Sequence, residues 1–180
     1  DQSKFKAFFD DQEAIIGISS DEDVKLIRLL HEYCLQNEDS NFERQLHEIP
    51  FLLNNHDQLA LPCQLCTHVL EDADEINADV QTINGSVYEQ LSQTDIDWLK
   101  KMGLSEPSDT SIIDTGRLFE ENYMTTNNAI DICRYLFKLH INGVLEESHY
   151  NRLKGMKILT KNENLLSVTD SYLANIYKPN

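Results

Sequence analysis

Glycine is scarce in this 180-residue chain, at six residues, and proline scarcer still, at four. No glycine falls in a G-x-G-x-x-G or G-x-x-x-x-G-K pattern, so the usual loops in which backbone amides cradle phosphate are missing. No apolar run approaches the roughly 20 residues that span a bilayer, and no charged segment leading into an apolar one opens the chain. Positive charge is short as well: 15 Lys+Arg stand against 31 Asp+Glu, a formal net charge of −16. A surface so negative repels phosphate backbones and anionic lipid over most of its area, which argues against general nucleic-acid or membrane binding.

What remains suits a soluble globular fold, with 41% hydrophobic and 26% charged residues and a mean hydropathy of −0.44. The length allows one good core or two small ones. Cys34, Cys63, Cys66 and Cys133 lie in apolar-periodic segments instead of a dense loop-rich frame. That usage predicts a reducing, cytoplasmic setting. The chain opens on Asp1, not Met, and reads as a piece of something longer.

Charge is unevenly placed. Residues 1–127 carry 8 Lys+Arg and 26 Asp+Glu, or −18, whereas 128–180 carry 7 and 5, or +2. The densest acidic run, Glu71-Asp72-Ala73-Asp74-Glu75 followed by Asn77 and Asp79, has the oxygen ligands of a divalent-cation loop. An EF-hand loop counted from Asp72 needs Gly at its sixth position and Glu at its twelfth, where this chain has Asn77 and Ile83. A solvated linker is the expectation.

An internal repeat organises the sequence. The stretch from Leu46 to Leu61 superposes without gaps on that from Leu153 to Val168, with Leu46, Leu52, Asn55 and Leu59 meeting Leu153, Leu159, Asn162 and Leu166. Apolar pairs at alternate positions, among them Ile49/Met156, Phe51/Ile158, Leu61/Val168 and Leu65/Tyr172, predict a hairpin in each copy. Asn54-Asn55-His56-Asp57 and Lys161-Asn162-Glu163-Asn164 supply tips that tolerate positive φ. Upstream, Val24, Ile27, Leu30 and Cys34 predict a helix over 21–37, and Ile130, Cys133, Phe137 and His140 one over 127–142, each burying its stripe. Phe42 to Leu46 and Glu146 to Leu153 fit a shorter second helix. Between the copies, Thr94 to Gly103 reads as a capped helix with Trp98, Leu99 and Met102 inward. Ser3 to Ile15 is its shorter counterpart upstream.

These features predict an α+β fold, mostly helical, with two related helix-helix-hairpin units. The expected division is 1–66 for the first unit with its N-terminal helix, 67–126 for an acidic linker and the Trp98 helix, and 127–180 for the second unit. The order of an Ile-Pro-Phe-Leu or Met-Lys-Ile-Leu-Thr strand, an Asn-rich tip, a return strand ending near Tyr172-Leu173, and a Trp helix closing on Met102-Gly103-Leu104 resembles the interior repeats of large sacsin-like proteins. The resemblance runs through most of residues 5–177. In that family an ATPase fold of the histidine-kinase and heat-shock-chaperone type is followed by arrays of helix-and-hairpin segments. It implies an architectural, protein-interacting segment whose partners are protein segments or neighbouring repeats of the parent chain. No Asp-x-Gly-x-Gly stretch occurs here, so no nucleotide site and no cofactor is carried over.

Candidate chemistry is sparse. Cys63-Gln64-Leu65-Cys66-Thr67-His68 offers three zinc ligands, but the aligned positions in the second copy are Asp170 and Leu173, and Cys63 shares an alternate-residue face with Leu61 and Leu65. A buried free thiol is the expectation, and no metal site is assigned. Cys34 with His31 and Cys133 with His140 could be drawn as nucleophile pairs, yet both cysteines lie on apolar stripes where a thiol is packed and protonated. His47, His56 and His149 read as surface groups, and no catalytic residue is assigned. The rival reading draws 127–168 as a winged helix-turn-helix in which Lys154, Lys157 and Lys161 contact nucleic acid. The first copy has His47, Pro50 and Asn54 at those positions, inside an acidic region, so a shared scaffold explains both copies better. A third class, an acidic mimic of DNA, fits the charge without any motif. The expectation is a non-catalytic scaffold.

Overall fold

The computed structural model describes residues 18–37, 40–71, 73–159 and 164–167. Among them the chain is mostly helical α+β, with eight α-helices and two antiparallel two-stranded sheets. It forms two compact units. Of the described residues, one unit comprises those up to Val69 together with Gln81–Pro107, and the other those from Leu70 to Val80 together with those from Ser108 onward. Residues 67–126, expected to form a separate connector, are shared between the two units.

In the first unit, α1 (Ser20–Asn37) opens with Asp21, Glu22 and Asp23, acids that favour a helix N-terminus. The Ser19 and Glu22 side chains close its first turn, the Glu22 carboxylate accepting from Ser19 N and Oγ. Val24, Ile27 and Leu30 are buried, as their spacing predicts, and Cys34 is half-buried. After α2 (Ser40–Leu46), the hairpin is shorter than its alternating pattern suggests: β1 (Leu52–Leu53) pairs with β2 (Leu59–Ala60) through Leu52↔Ala60 and Leu53↔Leu59. Its tip turns at Asp57, φ 56°, and is ordered by Asn54, whose Oδ1 accepts from His56 N and Gln58 N at 2.9 Å each.

Pro62 then starts a 3-10 turn over Pro62–Gln64 in place of further strand, because a proline has no N–H for the ladder. This turn leaves Cys63 exposed and points Leu65 and Cys66 inward, correcting the expected burial of Cys63. Cys66 instead bridges in parallel to Thr82 and to Ser105.

Two further helices complete the unit: α4 (Gly85–Tyr88), capped by Asn84, and α5 (Gln93–Lys101). Before them in the chain, Glu75–Ala78 forms α3, a short helix of the second unit. Ser92 caps α5 reciprocally with Asp95, and Trp98, Leu99 and Met102 are buried, as predicted. Phe51 to Leu53, α1, α4 and α5 form one apolar core.

The second unit is tied by side chains more than by strands. Asn77 on α3 is buried, donates to Ser108 O at 2.7 Å and accepts from Ile112 N at 3.1 Å, fastening α3 to α6 (Ser111–Asp114). Arg117, in a 3-10 turn (Arg117–Phe119), pairs with Asp79 at 3.3 Å and with Glu120, and lies over the Tyr123 ring. The acidic run 71–79 is therefore not a plain solvated linker. The chain continues with α7 (Ala129–Ile141), α8 (Glu147–Leu153), and β3 (Lys157–Leu159) paired with β4 (Leu165–Ser167) through Ile158↔Leu166 and its flanking pairs. The predicted helix at 3–15 and most of the second hairpin's tip lie outside the described residues.

Gly103 closes α5 at φ 109°, and a Cβ built there would lie 2.8 Å from Cys63 Cβ and 3.1 Å from Cys63 Cα. Strain and overlap act together at this position. Gly103→Ala is expected to lower the stability of the first unit by about 2 to 4 kcal/mol in denaturant unfolding. Gly85→Ala, in the same unit with open space around it, is expected to stay within about 0.5 kcal/mol. Equal losses would remove the Cys63 contact as a constraint.

Candidate functional site

Helix α7 carries two apolar stripes, and the spacing rule fits both. The one packed inward is Ile132, Tyr135 and Leu139. Tyr135 is placed there because its hydroxyl donates to Asp109 O, and burial pushes that phenol well above its usual range. Lys138 holds the helix flank to Asp74 at 2.8 Å. Asn128 accepts from Thr125 N at 2.7 Å and donates to Tyr123 O, setting the start of the helix. Gly143, at φ 68°, ends it, with Gly143 N donating to His140 O and Val144 N to Leu139 O.

That anchoring turns the other stripe outward. Ile130 and Phe137 are each 64% exposed and Ile141 is 62% exposed, with Cys133 exposed beside them. The expected burial of Ile130, Cys133 and Phe137 is corrected: these residues line a shallow surface depression with Ala129 and Arg134. His140, the fourth residue of that stripe, is exposed and bonded through Nδ1 to Tyr150 OH at 2.8 Å. The apolar face is rimmed by Asp131 and Arg134, 3.1 Å apart, and by Lys138. Isolated exposed apolar residues are ordinary, but three large ones on one helical face form a patch of the kind that marks an interaction surface.

Within Cys63 to His68, Cys66 and His68 each turn to a hydroxyl. Ser105 Oγ donates to Leu65 O, which leaves it to accept from the Cys66 thiol at 3.4 Å. Thr67 Oγ1 donates to Glu106 Oε2 at 2.8 Å and so accepts from His68 Nδ1 at 3.0 Å. Glu106 also meets Lys100 at 2.6 Å; bonds from Lys100 and Thr67 hold its carboxyl below the usual range. Cys63 and Cys66 thus sit in different surroundings, and among the described residues no group of three or more His, Cys, Asp or Glu is placed to hold a metal ion.

His31 donates from Nδ1 to Asp95 Oδ1 at 2.8 Å and stacks on Trp98 with centroids 5.1 Å apart. Burial raises the Asp95 carboxyl, but bonds from Ser92 and His31 outweigh it and hold it low. The triad Ser92, Asp95 and His31 is a latch between α1 and α5: both Ser92 and His31 bond to the carboxylate, so this histidine nitrogen is not a base for the serine. His149, expected at the surface, is half-buried: its Nδ1 accepts from Glu146 N at 2.9 Å, so its Nε2–H donates to Asp114 Oδ1 at 3.1 Å.

Of the lysines in the nucleic-acid reading, Lys154 donates to Asn151 Oδ1 at 2.7 Å. Lys157 lines a cavity of about 390 Å³ together with Glu120 and Glu121. Lys161 lies outside the described residues. Acidic neighbours at Lys157 weaken its attraction for phosphate.

Asp23 is the titratable group that the spacing of α1 did not reveal. It is fully buried, its Oδ2 accepts from Leu53 N at 3.0 Å, and its Oδ1 has no partner. Burial raises its carboxyl to about 7, against the pull of the Leu53 bond. An apolar-stripe pattern treats a polar residue beside the stripe as solvated, so only the position of Leu53 could have identified it.

No family model, curated protein or solved structure matches the chain.

Two outcomes follow from this geometry. A thiol reagent is expected to modify Cys63 and Cys133 in the native protein and Cys66 only on unfolding; modification of Cys66 at the rate of Cys63 would contradict its packing on Ser105. Because the Asp23 carboxyl titrates near 7 when folded and near 3.9 when unfolded, the folded state binds the extra proton between these values. Its contribution therefore falls as pH rises from about 4 to about 7 and is level above. The stability difference between the native chain and Asp23→Asn, measured by urea unfolding from pH 4 to 8, is expected to shift against the native chain by a few kcal/mol over that window. A difference independent of pH would mean that Asp23 is not desolvated.

Proposed function

We propose that the chain is a non-catalytic scaffold and protein-interaction segment of a larger, cytoplasmic, sacsin-like ATPase-containing protein. The observation that carries this reading is the outward stripe of α7, in which Ile130, Phe137 and Ile141 are large apolar side chains left exposed on one helical face. Exposed apolar surface of this kind suits a polypeptide partner.

The repeated helix-helix-hairpin order supports the sacsin-like part. Moved by the 107 positions of the sequence repeat, Ser40–Leu46 falls on Glu147–Leu153, both short helices. The hairpins differ in register by two residues: Leu59 pairs with Leu53, whereas its counterpart Leu166 pairs with Ile158, the counterpart of Phe51. A two-residue shift keeps each side chain on its face, so a related sequence accommodates it. Phe51 is fully buried and Ile158 half-buried.

The test places a photo-crosslinking residue at position 137 in the full-length protein. Polypeptide adducts lost in an Ile130→Ser/Ile141→Ser background are expected; adducts with nucleic acid, or none, would overturn the reading. Duplex DNA is expected to show no binding in fluorescence anisotropy even at low salt. Salt-sensitive affinity abolished by Lys154→Ala/Lys157→Ala/Lys161→Ala would make residues 127–168 a nucleic-acid reader.

A further inference from the structure

Beside the outward stripe of α7, carboxylates gather on one flank only. Ile130, Phe137 and Ile141 span about 17 Å of the helix, from its first turn to its last. At about 100° of rotation per residue, Asp131, Arg134 and Lys138 follow the stripe along one side, and Cys133 and His140 along the other. On the first side, Asp74, Glu75 and Ile76 at the start of α3 line a hollow of about 240 Å³ together with Asp131, Arg134 and Lys138. At roughly 30 Å³ of liquid per water, that is room for a hydrated side-chain head. The other side of α7 carries a thiol and an imidazole and no acid. Both cations of the acidic flank are already engaged, Arg134 with Asp131 at 3.1 Å and Lys138 with Asp74 at 2.8 Å. The bond to Asp74, with the charges of Asp74 and Asp109, holds the Lys138 ammonium above its usual range, so the field of Asp109 reaches the same place. Among the described residues neither Glu75 nor Asp109 has an ion pair, and four carboxylates stand against two cations. The unit that carries α7 has the same sign overall, with 14 Asp+Glu against 8 Lys+Arg, or −6.

We propose that this face binds a basic amphipathic helix of another polypeptide, whose apolar side chains cover Ile130, Phe137 and Ile141 and whose lysines or arginines lie along the Asp131 flank, beside Glu75 and Asp109. This rests on the reading of α7 as an interaction surface and adds the chemistry of the partner. A ridge of side chains at helical spacing receives the ridges of another helix. Charge then selects among helices. An acidic segment or a nucleic-acid phosphate meets carboxylates that nothing neutralises, and a second copy of this chain sets −6 against −6. Because the surplus lies on one flank, the partner's bases are needed on one side of its apolar stripe and not on both. Apolar contact supplies most of the affinity, and the charged flank supplies the choice of partner.

The test is fluorescence anisotropy of the chain with two labelled amphipathic peptides of about 14 residues, one built from Leu and Lys and the other from Leu and Glu at the same positions. The lysine peptide is expected to bind and to weaken as salt is added, and the glutamate peptide not to bind. Phe137→Ser, at an exposed position where folding is checked by circular dichroism, is expected to weaken the lysine peptide by about tenfold or more. Glu75→Lys is expected to weaken it by about threefold to fivefold. Glu89→Lys makes the same change of charge at an exposed position of the first unit, and is expected to leave the affinity within about twofold. Equal losses from Glu75→Lys and Glu89→Lys, or no loss from Phe137→Ser, would overturn the site and leave only attraction to the charge of the whole chain. Binding of the glutamate peptide as tight as that of the lysine peptide would overturn the basic partner. If the lysine peptide does not bind while the position-137 probe crosslinks to a polypeptide, the basic chemistry falls and the interaction reading stands.

Discussion

Two residue pairs hold β1 to β2, and a ladder of that length is too short to define a hairpin in water. The first unit depends on what grips this hairpin from outside. Asp23, in the first turn of α1, takes the Leu53 N–H into a buried carboxylate, while Phe51 to Leu53 fill the core that α1, α4 and α5 share. A carboxylate with one partner in such a place costs stability when ionised, yet it satisfies a strand amide that would otherwise be buried alone. Position and strain are coupled here: the group that locates the hairpin is also the one that burial makes hardest to ionise.

Around that anchor, short polar links do the work that longer strands do elsewhere. Asn54 orders the hairpin tip, Asn84 caps α4, Ser92 and Asp95 cap α5, and His31 ties Asp95 back to α1. The second unit follows the same economy with Asn77, Arg117 and the His149–Asp114 pair. In both, a few directional bonds set the geometry and apolar burial supplies most of the stabilisation.

The same logic explains how α7 exposes an apolar face. Its two stripes are of similar composition, so hydrophobic burial alone does not choose between them. The Tyr135 hydroxyl on Asp109 O and the Lys138–Asp74 pair fix the rotation of the helix, and the stripe left over becomes surface. Links from two side chains have therefore decided which residues are available for contact.

Helix positions were legible in the sequence because they depend on local periodicity and caps: α1, α5, α7 and α8 lie within a few residues of where apolar spacing and capping residues placed them, and Trp98, Leu99 and Met102 are inward as expected. The turn at Asp57 and the left-handed glycine at 103 were legible for the same reason. Tertiary structure alone decided the rest. Pro62 ended the strand that alternation would have continued and so turned Cys63 out and Cys66 in. Asn77 and Asp79, read as linker amide and acid, became ties because partners more than thirty positions away, Ser108, Ile112 and Arg117, came to meet them. Which stripe of α7 faces solvent, and whether Asp23 is dry, likewise depend on atoms distant in sequence. A periodic pattern states that a face is apolar; only the neighbours that the folded chain supplies determine whether it is covered.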